Sequence, residues 1–234
     1  MEYLYKIYDE SGNIILSCHD LIECQDFSRI GDAYLFALNG LSKNDVDFSI
    51  GDQVYRLECA DYNGRLDFDF TVKKIIKSNG TIYLYLIVMN SMYEIGVLSL
   101  LKVHNSSNER FWLDLVKESK RVYISACYMI NGVRDSLEKN TIIIEGKYIH
   151  DYYSFYCEFG YAFFGIFGYV GKNLDAFDDC IVELKKNRVS IDIIWKDSEL
   201  SFKAIDNTIP NEIYTLSSYD IVEILREHCN LTLQ

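Results

Sequence analysis

Asp175, Asp178 and Asp179 are the residues of this 234-residue chain whose types and spacing are suited to chemistry. A pair of carboxylates four residues apart can flank one substrate for acid–base work, hold a hard cation, or grip a basic partner. No histidine or cysteine nucleophile sits at a supporting spacing, and no loop of alternating oxygen ligands surrounds the trio. Solvated surface, partner binding, and catalysis or metal binding stay open in that order of preference. The elements that must position these acids are legible. Gly168 and Gly171 allow a sharp turn, and Asn173 is a good N-cap type. Leu174, Phe177, Ile181 and Leu184 recur at steps of 3, 4 and 3 as the apolar stripe of a helix. At about 100° per residue the three aspartates fall on the opposite face, with Val182 exposed among them and Tyr169 just before the helix.

A formal net charge of −12 argues against a nucleic-acid or anionic-membrane binder, which needs clustered Lys and Arg, and favours a basic partner. The 49% hydrophobic and 15% aromatic content is ample for packed cores. The seven cysteines are scattered without a CxxC pair. Cys18, His19 and Cys24 fit no standard metal spacing, so free thiols of a reducing compartment are expected. Residues 1–6 lack a basic segment leading into an apolar run, and no stretch approaches the roughly 20 apolar residues that span a bilayer. A cytoplasmic location follows as the expectation.

Beyond the acids, the run Tyr-x-Gly-x-Asn-Leu-Asp-Ala-x-x-Asp-Cys, here Tyr169 to Cys180, resembles the signature segment of the barstar family, intracellular inhibitors of the ribonuclease barnase. Residues 144–149 are similar to that family's first strand and turn, 190–196 to its second strand with its tryptophan, and 222–233 to its last helix and strand. The resemblance covers residues 140–234 in order. Lys172 stands where the family has an acid, Asp178 where barstar has a tryptophan, and the last helix is shorter by about one turn. The resemblance implies a three-stranded parallel sheet with packed helices, no catalysis, no metal and no cofactor. It implies a basic extracellular-type ribonuclease or nuclease toxin as partner. Asp179 is expected in that enzyme's phosphate site, with Asp175 beside it and Tyr169 packing on the enzyme. Asn173 and Val182 match further contact positions, and Glu227 matches the distant acid of the last helix. The alternative is a non-inhibitory interaction module whose acidic face binds another basic protein or the chain's own first domain.

That first domain, residues 1–134, reads as β-rich and of unknown task. Strands are expected over 2–8, 13–18, 33–38, 53–59, 66–77, 81–89, 93–103 and 121–130, with a short helix or loop over 20–27. Ser78-Asn79-Gly80 marks a hairpin, and Ser106-x-x-Glu109 has capping-box spacing for a helix beginning near Phe111. The polar run 134–140 is the expected boundary. Residues 135–234 then read β-α-α-β-α-β: a strand over 141–144 covered on both faces, helices over 152–164 and from Leu174, a strand over 189–195, a helix over 219–228 and a strand over 231–233. Another short helix has room near Pro210 and Asn211.

Overall fold

The computed structural model describes residues 3–24, 33–89, 92–103, 110–186, 190–209 and 217–234. The chain forms two compact units, residues 1–103 and 104–234. The second therefore reaches further upstream than residue 135.

The first unit is a closed antiparallel barrel. Its strands are β1 (Tyr5–Tyr8), β2 (Ile14–Cys24), β3 (Tyr34–Leu41), β4 (Val54–Cys59), β5 (Phe68–Ser78) and β6 (Thr81–Met89), in the order β1-β2-β3-β6-β5-β4. Pairing of β1 with both β2 and β4 closes it and leaves no free edge. Alternate residues point inward, so Ile7, Leu16, Phe36, Leu38, Leu57, Phe68, Phe70, Val72, Ile82 and Leu84 are all buried. Asn79 and Gly80, at φ of 50° and 77°, make the expected tight hairpin turn between β5 and β6.

Two readings of this unit are overturned. Residues 20–24 continue β2 instead of forming a helix or loop. Residues 97–103 form helix α1 (Val97–Val103) instead of a strand. The reason lies on another strand: the Glu23 carboxylate accepts the backbone N–H groups of Gly96 at 2.8 Å and Ser99 at 3.0 Å, capping the start of that helix.

In the second unit, α2 (Lys117–Asn131) replaces the strand expected over 121–130. Its β-branched and aromatic content suggested a strand, yet its buried side chains Lys120, Tyr123, Ile124 and Cys127 follow the helical period. Gly132, at φ 61°, ends it. Ser106 and Glu109 lie outside the described residues, and the described residues just ahead of α2 form a 3-10 turn, Phe111–Asp114. Next come β7 (Thr141–Glu145), α3 (Tyr152–Phe164), α4 (Leu174–Lys186), β8 (Asp192–Lys196), α5 (Ser198–Asp206), α6 (Ser218–His228) and β9 (Asn230–Leu233). The three strands form a parallel sheet in the order β7-β8-β9. The additional helix is α5, ahead of Pro210 and Asn211, which lie outside the described residues.

Among the described residues, the sheet is packed on one face. Ile142, Ile144, Ile193 and Trp195 are fully buried beneath the helices, whereas Ile143 is 47% exposed in a row with Ile194 and Thr232. The expected two-sided cover of β7 is thus corrected. The apolar run of this short edge strand does not distinguish one covered face from two. The core beneath the sheet is aromatic: Phe155, Phe159 and Phe202 pack against Trp195, with ring centroids of Phe159 and Trp195 4.9 Å apart, and Phe177 packs on Phe155 and Phe159.

Candidate protein-binding site

Helix α4 begins where the chain turns at Gly171. Its φ is 108°, and a Cβ there would stand 2.6 Å from the Phe177 nitrogen, so glycine is required for the chain to cross the first turn. Asn173 caps that turn: its Oδ1 accepts the Ala176 N–H at 2.9 Å and its carbonyl accepts the Phe177 N–H at 3.0 Å. Asp175 lies in the first turn, and Lys185 and Lys186 in the last, the arrangement that suits the helix dipole. Phe177, Cys180, Ile181 and Leu184 are buried, with Phe177 packed 5.1 Å from Phe155 and 5.6 Å from Phe159, centroid to centroid.

The three aspartates do not share one environment. Asp175 and Asp179 are exposed, and neither joins an ion pair or hydrogen bond among the described residues. Asp178 turns to α6, where its Oδ1 lies 3.0 Å from Nε2 of His228. Lys185 adds a second tie by donating to the Glu227 carbonyl at 3.1 Å. Glu227 itself is exposed on α6, so its carboxylate sits on a helix fastened to α4. Val182 is half-buried, not exposed as its place in the acidic arc suggested, because the neighbouring Asp178 side of the helix faces α6.

Tyr169 is only 5% exposed, its ring packed edge-on against Tyr128 with centroids 5.2 Å apart. Burial raises the pKa of its hydroxyl above the ordinary tyrosine value. Burial also pushes the Cys180 thiol up to about 12, which favours its protonated form at neutral pH.

Several contributors were not singled out from sequence. Tyr169 shares a pocket of about 260 Å³ with Val133, Ala176, Asp179, Cys180 and Glu183. The loop ahead of α4 is held by α2 through Tyr123, Tyr128 and Asn131. Glu183 carried a visible signal, since it follows Asp179 by four residues. Val133 and the α2 contacts carried none, because nothing in the sequence announces which distant helix will back a loop.

Residues 139–217 match the family model described as Barstar (barnase inhibitor), and the rest of the chain matches no family. No curated protein and no solved structure matches. No helix among the described residues is long and apolar enough to cross a membrane.

Proposed function

We propose that the second unit is a protein inhibitor that blocks the active site of a basic microbial ribonuclease with the carboxylates of α4. The observation that carries this reading is the division of labour along the helix. Asp178 is engaged within the fold, while Asp175 and Asp179 stand exposed and unpaired among the described residues, within the segment that matches an inhibitor family. A ribonuclease binds RNA phosphates with Arg, Lys and His. Carboxylates presented at those positions form charge-assisted hydrogen bonds and exclude the substrate. A helix capped at Asn173 and buried along one face holds them rigidly, so little ordering entropy is lost on docking. The net charge of −12 speeds encounter with a basic enzyme and makes the association salt-sensitive. Asp179 is the central contact, Asp175 its neighbour and Glu227 the outlying acid. Asn173 contributes as cap and rim, Val182 by apolar contact, and Tyr169 as the wall beside Asp179.

The test is titration of the full chain into a small basic ribonuclease of the barnase type, following RNA cleavage. Stoichiometric loss of cleavage is expected. Asp179→Ala should weaken inhibition roughly a hundredfold or more, the cost of leaving the enzyme's cation buried and unpaired. Asp178→Ala should weaken it far less. Equal inhibition by wild type and Asp179→Ala would refute the site. No inhibition by wild type would point to a different basic partner.

A further inference from the structure

In the barrel, β6 is apolar on both faces. Ile82, Leu84 and Leu86 point inward and are buried, while the alternate residues Tyr83, Tyr85, Ile87 and Met89 form a stripe along the outer wall. The outer face of an antiparallel sheet ordinarily meets water and carries polar residues, and apolar residues on both faces mark a strand covered on both. The stripe also extends sideways, because residues paired across strands share a face. Tyr83 pairs with Ala37 of β3 and with Ile76 of β5, and Ala37 pairs in turn with Ile22 of β2. Ile22, Ile76 and Met89 are 37%, 40% and 37% exposed. From the strand spacing and the rise between successive outward residues, the patch measures roughly 15 by 20 Å. An apolar surface of that size marks a place where another molecule docks.

The two flanks of the patch differ in charge. On the β5 side, Lys73 stands in a bulge and Lys74 lies over the Tyr85 ring, 5.3 Å from its centroid, and both lysines are exposed. On the β2 side stand Asp20, paired with Lys102 at 2.6 Å, and Glu23, whose carboxylate holds α1. The net charge of −12 disfavours nucleic acid or an anionic membrane as the cover. An acidic partner of another kind would need the lysine flank alone. Flanks of both signs around an apolar centre are what a self-complementary, isologous contact needs.

We propose that this wall of the barrel is the interface of a twofold homodimer whose dyad runs along β6. That axis brings the lysine flank of each copy toward the Asp20 and Glu23 flank of the other, with the β6 stripes in contact at the centre. A dyad across the strands would set lysines against lysines, and the like charges oppose it. The patch is smaller than the roughly 800 Å² per partner of a standard interface, so the dimer is a weak one, with a dissociation constant in the micromolar range. The first unit thereby acquires a task, assembly, that is independent of what α4 binds.

The test is sedimentation velocity of the full chain from about 1 to 200 μM, bracketing that range. A concentration-dependent shift from monomer to dimer is expected. Ile22→Lys and Met89→Lys, both at exposed positions, should each weaken the dimer at least roughly tenfold by burying an unpaired charge, while far-UV circular dichroism and the urea midpoint stay at their wild-type values. The double variant Lys73→Glu/Lys74→Glu should weaken it roughly three- to tenfold, the range of partly exposed charge pairs. A chain that stays monomeric throughout would overturn the proposal, as would a dimer indifferent to both Ile22→Lys and Met89→Lys. Tighter association of the lysine double variant would also overturn it, because the lysine flanks would then face each other.

Discussion

Gly160→Ala tests how tightly the loop that carries Tyr169 is set against α3. A Cβ at 160 would stand 2.1 Å from the Gly168 carbonyl oxygen and 2.8 Å from its carbon. The obstacle is backbone, and restoring an ordinary contact requires the loop to retreat by more than about 1 Å. Overpacking of this kind costs about 1–3 kcal/mol, here toward the upper end because no side chain can swing away. Alanine in a helix interior regains about 1 kcal/mol over glycine, leaving a net loss of about 1–2 kcal/mol. Gly168→Ala meets the same contact from the other side, 1.9 Å from the Gly160 oxygen. It sits in a loop with no helical gain to offset the clash, so about 2–3 kcal/mol is expected there. Urea unfolding followed by tryptophan fluorescence isolates the relevant unit, since the chain's two tryptophans, Trp112 and Trp195, are both buried within residues 104–234. Midpoints should fall with the slope unchanged, and the double variant should lose less than the sum because both changes address one contact. A Gly160→Ala protein as stable as wild type, or a Gly168→Ala protein less affected than Gly160→Ala, would refute the close approach.

Arg110 donates from Nε and Nη2 to the fully buried Glu158 at 2.9 and 3.1 Å, so Arg110→Ala should cost about 3–5 kcal/mol at neutral pH by leaving a buried carboxylate unpaired. Burial already holds the Glu158 carboxyl above its usual pKa, against the opposing pull of Arg110. A raised folded-state value means that the stabilising contribution is complete below the unfolded value and is lost as pH rises through the folded one; without Arg110 that loss extends to higher pH. The stability gap between variant and wild type should therefore be smaller at pH 5 than at pH 7.5 in urea midpoints, and a pH-independent gap would exclude Glu158 as its origin. Asn173→Ala should lower stability by about 1 kcal/mol through loss of the cap, with Asn173→Asp restoring it; an unchanged midpoint for the alanine variant would show that the cap is carried by other groups.

Much of the second unit was legible in the sequence because local signals and tertiary demands agree there. Gly171, the Asn173 cap and the 3-4-3 spacing from Leu174 all specify the same helix start and the same buried face. Elsewhere the deciding partner was remote. Helix α1 is capped by Glu23 from a strand more than seventy residues upstream. In residues 121–130, side chains typical of strands lie on a helix because their apolar spacing meets α3 and the Tyr169 loop. At the site, helical angle alone placed Asp178 with Asp175 and Asp179, and only the position of His228 on α6 withdraws it. Val182 becomes half-buried on that same side. The burial of Tyr169 depends on Tyr128, which no motif foreshadows.

The limits of the family match are limits of sequence similarity and not of the folding unit. The match ends at residue 217, yet α6 and β9 lie beyond it. β9 is the strand that pairs one edge of the central β8: the Asn230 N–H reaches the Ile191 carbonyl at 2.9 Å, and the Gln234 N–H reaches that of Trp195 at 2.8 Å. Without β9 those backbone groups on the strand that carries Trp195 would lose their partners. Without α6, Asp178 would lose His228, and the helix that presents Asp175 and Asp179 would lose both ties that fix its flank. Upstream, α2 does for the loop what α6 does for the helix, by way of Tyr123, Tyr128 and Asn131. The acidic face is thus held between two elements outside the matched segment. Its orientation, on which any match to a rigid partner depends, belongs to residues 110–234 acting together.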